Sequence, residues 1–159
     1  MCFGVGVQVP SRAPIEVYVT DYSKILADLT SELNLCLDHL QYSYGKVQKL
    51  KLSSASKDPD SLETYEALVA RFARVTDIFI AKYLRSFSQK DDPAFQGSLV
   101  DTIHYAEKKG LIISAKVWIE IRELRNKISH EYATKDLKII FDQVIQQTPV
   151  VLSLKTNLK

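Results

Sequence analysis

Cysteine is scarce: Cys2 and Cys36 are the only two in 159 residues. They are too few for a disulfide framework and lack the paired spacing of zinc ligands, so a fold with neither metal nor disulfide, in a reducing cytosol, is expected. Glycine and proline are also sparse, five of each. The prolines, at 10, 14, 59, 93 and 149, leave long uninterrupted segments suited to helices. No apolar run approaches the roughly 18 residues that a membrane-spanning helix needs. The N-terminus has neither the charged start nor the apolar stretch of a secretory signal, so the expectation is a cytoplasmic protein with no membrane partner. A charge excess of one sign is missing too. A net charge of +2 is far from a surface that coats nucleic acid, and any RNA contact has to be local. What is abundant is apolar side chain, 46% of the residues, enough for the core of one domain.

Residues 1–20 carry Gly4, Gly6, Pro10 and Pro14, follow no period and read as an irregular arm. The domain is expected over 21–155. From Asp21, Leu26, Leu33, Leu40 and Val47 recur every seven residues with Leu29, Cys36 and Leu37 beside them, which predicts an amphipathic helix running to about residue 52. After a linker at 53–60, Asp60 and Glu63 have capping-box spacing, and Tyr65, Leu68, Phe72, Val75 and Phe79 trace a second helix to about residue 87. Asp91-Asp92-Pro93 breaks the pattern. Ser98 then caps a shorter helix with Leu99, Ile103 and Ala106 on one face, which should stop at Gly110. Ser114 caps a fourth, with Val117, Trp118, Ile121, Leu124 and Ile128 as its buried stripe. A last helix should start at Thr134 and carry Leu137, Ile140, Phe141, Val144 and Ile145. No strand-like alternation of useful length is present. The expected fold is all-α, an antiparallel bundle of four to five helices forming a symmetric dimer.

The segment Arg125-Asn126-Lys127-Ile128-Ser129-His130-Glu131-Tyr132 concentrates a fixed cation, an imidazole and a phenol in eight residues. Arg125 can hold a phosphodiester through parallel charge-assisted hydrogen bonds and stabilise the charge of a pentacovalent transition state. His130, whose intrinsic pKa is near 6.5, can take a proton from a ribose 2′-hydroxyl or protonate the departing 5′-oxygen. Such chemistry would cleave RNA without a metal or any other cofactor, through a 2′,3′-cyclic phosphate. On an unbroken helix, however, residues five apart are turned by about 140° and separated by about 7.5 Å, so the two side chains would not converge. Either a break at 129–133 or a second protomer facing the first would bring them together.

Asn126 orients Arg125 or else caps a helix end, and the sequence leaves both roles open. Lys127 is a supporting cation; Lys46, Lys49 and Lys51, or Arg122, Arg125 and Lys127, could supply a local RNA contact, yet the default reading of such clusters is solvated helix surface. Tyr132 could contact RNA or accept a modification. The plain alternative for the octapeptide is a helix terminus in which His130 interacts with the helix dipole, Arg125 pairs with a carboxylate and Tyr132 packs on the bundle. His39 and His104 stand alone on helix patterns and read as structural, and Trp118 as core.

The pattern Arg125-Asn126-x3-His130-x-Tyr132 resembles the signature of the HEPN superfamily, the higher eukaryote and prokaryote nucleotide-binding domains, in the branch paired with minimal nucleotidyltransferases. Arg71-Phe72, Lys82-Tyr83-Leu84 and Gly110-Leu111-Ile112 leading to Trp118 add to the likeness, which covers residues 21 to about 150. It implies a dimeric ribonuclease toxin of a toxin–antitoxin pair with Arg125 and His130 as its catalytic residues and RNA, transfer RNA first, as its substrate. It also implies a cognate minimal nucleotidyltransferase antitoxin that transfers AMP from ATP to Tyr132. Related domains that present substrates to a nucleotidyltransferase imply a second expectation, a non-catalytic substrate-binding adaptor. A plain helical interaction module, suggested by the seven-residue spacing of the first helix, is a third.

Overall fold

The computed structural model describes residues 20–51, 58–130 and 137–158, the His130 side chain excepted. Among these residues every regular element is helical. They are α1 (Tyr22–Val47), α2 (Pro59–Asp77), a π-helical segment (Ile78–Tyr83), α3 (Leu84–Asp91), α4 (Leu99–Lys108), α5 (Ala115–His130), α6 (Leu137–Leu152) and α7 (Leu154–Asn157). The arm at 1–19, the start of the last helix at Thr134 and Tyr132 lie outside the described residues.

α1 begins where Asp21 Oδ1 accepts the backbone N–H groups of Ser23 and Lys24 at 3.0 and 3.1 Å, satisfying donors that the first turn leaves without partners. It buries Leu26, Leu29, Leu33, Leu37, Leu40 and Val47, and each such side chain removed from water contributes about 1.5–3 kcal/mol before entropy is charged against it. The helix ends at Val47, short of residue 52. Lys49 and Leu50 donate instead to Lys46 and Val47, three residues back, a tightening common at helix ends. Leu50 remains 36% exposed, so no core contact holds a further turn.

The second helix is capped by Asp58, not by Asp60 as its spacing with Glu63 suggested. Asp58 Oδ2 accepts from Ser61 N at 3.0 Å, and Pro59 takes the first helical position, where its missing N–H costs nothing. From there helical backbone runs to Asp91, beyond residue 87, because the chain passes through the π-helical turn without stopping. Leu84 N–H bonds to Phe79 O, five residues back. The widened turn lets Ile78, Phe79 and Ile80 all be buried in succession.

Ser98 and Asp101 form a reciprocal capping box at the start of α4. Gly110 ends this helix with φ of +71°, a left-handed conformation, and Leu111 N closes the turn on Ala106 O at 2.9 Å. At the start of α5, Ala115 N donates to Glu107 Oε1 at 2.9 Å, and Ser114 Oγ accepts from Val117 N. Pro149 lies inside α6, which nevertheless continues to Leu152.

The stripes meet in one core. Phe79 rests on Trp118 with ring centroids 4.6 Å apart, joining the π-helical segment to α5. Tyr65 stacks on Phe141 at 5.2 Å, joining α2 to α6. Ile103, Ile121, Ile140 and Val144 fill the space between, none more than 2% exposed. No helix among the described residues is long and apolar enough to cross a membrane.

Candidate functional site

α5 turns Trp118, Ile121, Leu124 and Ile128 into the core, all buried. That anchoring fixes the azimuth of the residues between them, and it leaves Arg125 and Asn126 half-buried at the edge of the bundle, with Lys127 and Ser129 exposed.

Arg125 is held by a residue far away in sequence. Its Nη2 donates to Asp77 Oδ2 at 2.7 Å, and its Nε lies 2.5 Å from Asp77 Oδ1. The second contact is one of charge, since its angle falls outside hydrogen-bond geometry and Nε has no other acceptor. Nη1 faces Asn126 Oδ1 at 3.5 Å. Asn126 thus lies within long hydrogen-bond reach of Arg125, and α5 continues past it to His130. The carboxylate takes the Nε–Nη2 edge of the guanidinium, and among the described residues the Nη1 side meets only a long contact with a neutral amide. A planar group with five donors can keep one edge on a carboxylate while another meets a phosphate oxygen.

Asp77 was not among the residues singled out from the sequence. It is the last residue of α2, next to the π-helical segment. Such insertions re-aim neighbouring side chains and often accompany functional sites. The available signal was a lone acidic residue in an otherwise apolar stretch, Val75-Thr76-Asp77-Ile78-Phe79.

The backbone of His130 is helical and closes α5. A break between Arg125 and His130, one of the two geometric remedies, is thus absent: residues 129 and 130 belong to the helix, and 131–133 lie outside the described residues. Helical continuity separates the two positions by about 140° of azimuth and about 7.5 Å of rise. Tyr132, the expected site of modification, lies outside the described residues.

Lys127 faces α6. With Glu120, Glu123, Gln143, Gln146 and Gln147 it lines a shallow polar groove of about 280 Å³. His39 and His104 are both exposed, and Trp118 is 3% exposed, a core residue as expected. Elsewhere, burial pushes the Tyr83 phenol above its ordinary pKa, and a hydrogen bond with Thr30 partly offsets this. Among the described residues no three His, Cys, Asp or Glu side chains converge as metal ligands do.

No protein-family model matches this chain, and no curated protein matches it significantly.

Proposed function

We propose that this chain is the toxin of a HEPN-type toxin–antitoxin pair, an endoribonuclease that works as a symmetric dimer of antiparallel helical bundles. The observation that carries the reading is the arrangement around Arg125: a guanidinium fixed on one edge by Asp77, flanked by Asn126, on the same helix as His130. In this mechanism Arg125 binds the scissile phosphate through its Nη1 side and stabilises the charge that builds up on the equatorial oxygens. A histidine removes the 2′-hydroxyl proton, the 2′-oxygen attacks phosphorus, and the 5′-oxygen departs with a proton. The products are a 2′,3′-cyclic phosphate and a 5′-hydroxyl, and no metal takes part. Because α5 is unbroken from Arg125 to His130, one site takes its arginine from one protomer and its histidine from the partner.

Transfer RNA is the proposed substrate, and the proposed antitoxin is a minimal nucleotidyltransferase that adds AMP to Tyr132. An AMP phosphodiester placed near Arg125 would compete with RNA for the same guanidinium. Incubating purified Tyr132→Phe protein with that partner and ATP tests the assignment. Loss of AMP incorporation is expected, and incorporation at the wild-type level would reject Tyr132 as acceptor.

One observation favours a second reading, the non-catalytic adaptor. Asp77 already neutralises Arg125, as it would in a purely structural ion pair. Growth separates the two. A toxin arrests cells when expressed alone and is harmless as His130→Ala, whereas an adaptor leaves growth unchanged in both forms.

A further inference from the structure

Away from Arg125, the α1–α2 face holds a second fixed guanidinium, and its partners are of a different kind. Arg71 Nη1 donates to the backbone carbonyl of His39 at 3.2 Å and to the buried Ser43 hydroxyl. Both acceptors are neutral. The ion pairs Lys109–Asp91, Arg125–Asp77 and Lys155–Asp38 neutralise their cations, whereas among the described residues no carboxylate lies within ion-pair distance of Arg71 or Lys46. A guanidinium tethered by neutral acceptors is oriented without being tied up in a direct ion pair.

Next to it is an aromatic ring with no core to fill. Tyr42 is 66% exposed, and both Arg71 and Lys46 lie over its ring, each 5.9 Å from the centroid. These three side chains, with Ser43, Thr64 and Glu63, line a groove of about 370 Å³ between α1 and α2. The groove is large enough for one nucleotide unit, within the usual range of small-ligand clefts. An exposed ring beside uncancelled cations is the combination with which proteins hold single-stranded nucleic acid: a base stacks on the ring and the adjoining phosphate meets the cation. Glu63 and Asp60 line the same groove and can accept from base amino or ribose hydroxyl groups.

We infer that Tyr42, Arg71 and Lys46 form a binding site for a nucleotide unit of single-stranded RNA, with the base on Tyr42 and the phosphate on Arg71 and Lys46. The inference rests on the ribonuclease reading for its choice of polymer, and not for the chemistry of the site. In that setting the site grips substrate away from the scissile bond. Its loss raises KM for long RNA and leaves the turnover of bound substrate intact.

The test uses the full-length His130→Ala protein, so that RNA is bound without being cut, and a fluorescein-labelled single-stranded RNA 12-mer read by anisotropy. Adding Tyr42→Ala should weaken binding roughly tenfold, the scale of one lost base stack, while Tyr42→Phe keeps it. Arg71→Gln should lower the slope of log affinity against log salt by about 0.7, as one lost phosphate contact does. Lys46→Ala, at an exposed position on α1, checks the charge contribution should Arg71→Gln disturb the α1–α2 contact. Competition by AMP would assign the groove to a free nucleotide, and competition only by oligonucleotide to a strand. No RNA or AMP binding, or binding indifferent to both Tyr42→Ala and Lys46→Ala, overturns the site. Tyr42-dependent binding in a protein whose wild type never cleaves RNA would retain the site and refute the ribonuclease. Cleavage with indifferent Tyr42 would do the reverse.

Discussion

Asp77 grips Arg125 through both of its carboxylate oxygens, across 48 residues of sequence. The contact ties the end of α2 to the last third of α5, where the candidate arginine would otherwise swing on a flexible side chain. Its worth is in direction more than in stability. The two side chains are 32% and 45% exposed, so the pair is screened by water and contributes no more than about 1 kcal/mol.

That balance separates two quantities in an Asp77→Asn variant. The melting temperature should change by no more than about 4 °C, the scale of 1 kcal/mol in a domain of this size. The kcat/KM for RNA should fall about 10- to 100-fold as Arg125 loses its fixed edge, and Asp77→Glu should recover part of it. A positioning role is rejected if Asp77→Asn cleaves RNA as the wild type does.

The unbroken α5 makes a prediction about two chains. Arg125→Ala and His130→Ala should each be inactive alone. Mixed under conditions that allow subunit exchange, they should regain cleavage, because each heterodimer contains one site with both groups intact. No recovery in a mixture shown by mass measurement to contain heterodimers would place both residues of a site in one protomer.

The π-helical segment and α5 depend on each other through Phe79 and Trp118. Trp118→Ala removes a ring that is 3% exposed and leaves Phe79 facing a cavity, which should cost about 3–5 kcal/mol in chemical denaturation. Trp118→Phe should cost much less. A loss below about 1 kcal/mol for the alanine variant would mean that this contact does not hold the two helices together.

Acid should loosen the helix termini before the core. Hydrogen bonds from Ser61 hold the Asp58 carboxyl below its ordinary pKa of 3.8, and Ser98 does the same for Asp101. At Asp91 the lowering comes first from Lys109 and then from Tyr105. A carboxylate with a lowered folded pKa contributes stability above its unfolded pKa and loses that contribution as pH falls through the folded value. The melting temperature should therefore drop as pH falls below about 4 and through the lowered folded values, and Asp101→Asn should flatten part of that drop. An unchanged acid limb in Asp101→Asn would remove the capping box from the account.

The helix starts at Asp21, Ser98 and Ser114 and the stop at Gly110 were legible in the sequence because each is settled within four residues by a side-chain acceptor or a left-handed turn. The buried stripes were legible for a similar reason: Leu33, Leu40, Phe72 and Ile121 repeat at the helical period. At the second helix the local signal was divided between two aspartates, and Pro59 decided it for Asp58. The π-helical segment left no mark in the period, since Ile78, Phe79 and Ile80 are apolar on any helix. The Asp77–Arg125 pair is set by how α2 packs on α5, a relation between distant segments that one sequence does not carry. Likewise Lys46 read as ordinary solvated helix surface until α2 brought Arg71 to the ring of Tyr42.

RNA cleavage by the purified wild-type protein in excess EDTA, with the termini of the fragments determined, tests the ribonuclease reading most directly. The expected fragments carry 2′,3′-cyclic phosphate and 5′-hydroxyl ends, and they vanish in folded His130→Ala and Arg125→Ala proteins. Cleavage that persists in a clean His130→Ala preparation, or a folded wild-type protein that leaves transfer RNA intact, would contradict that reading.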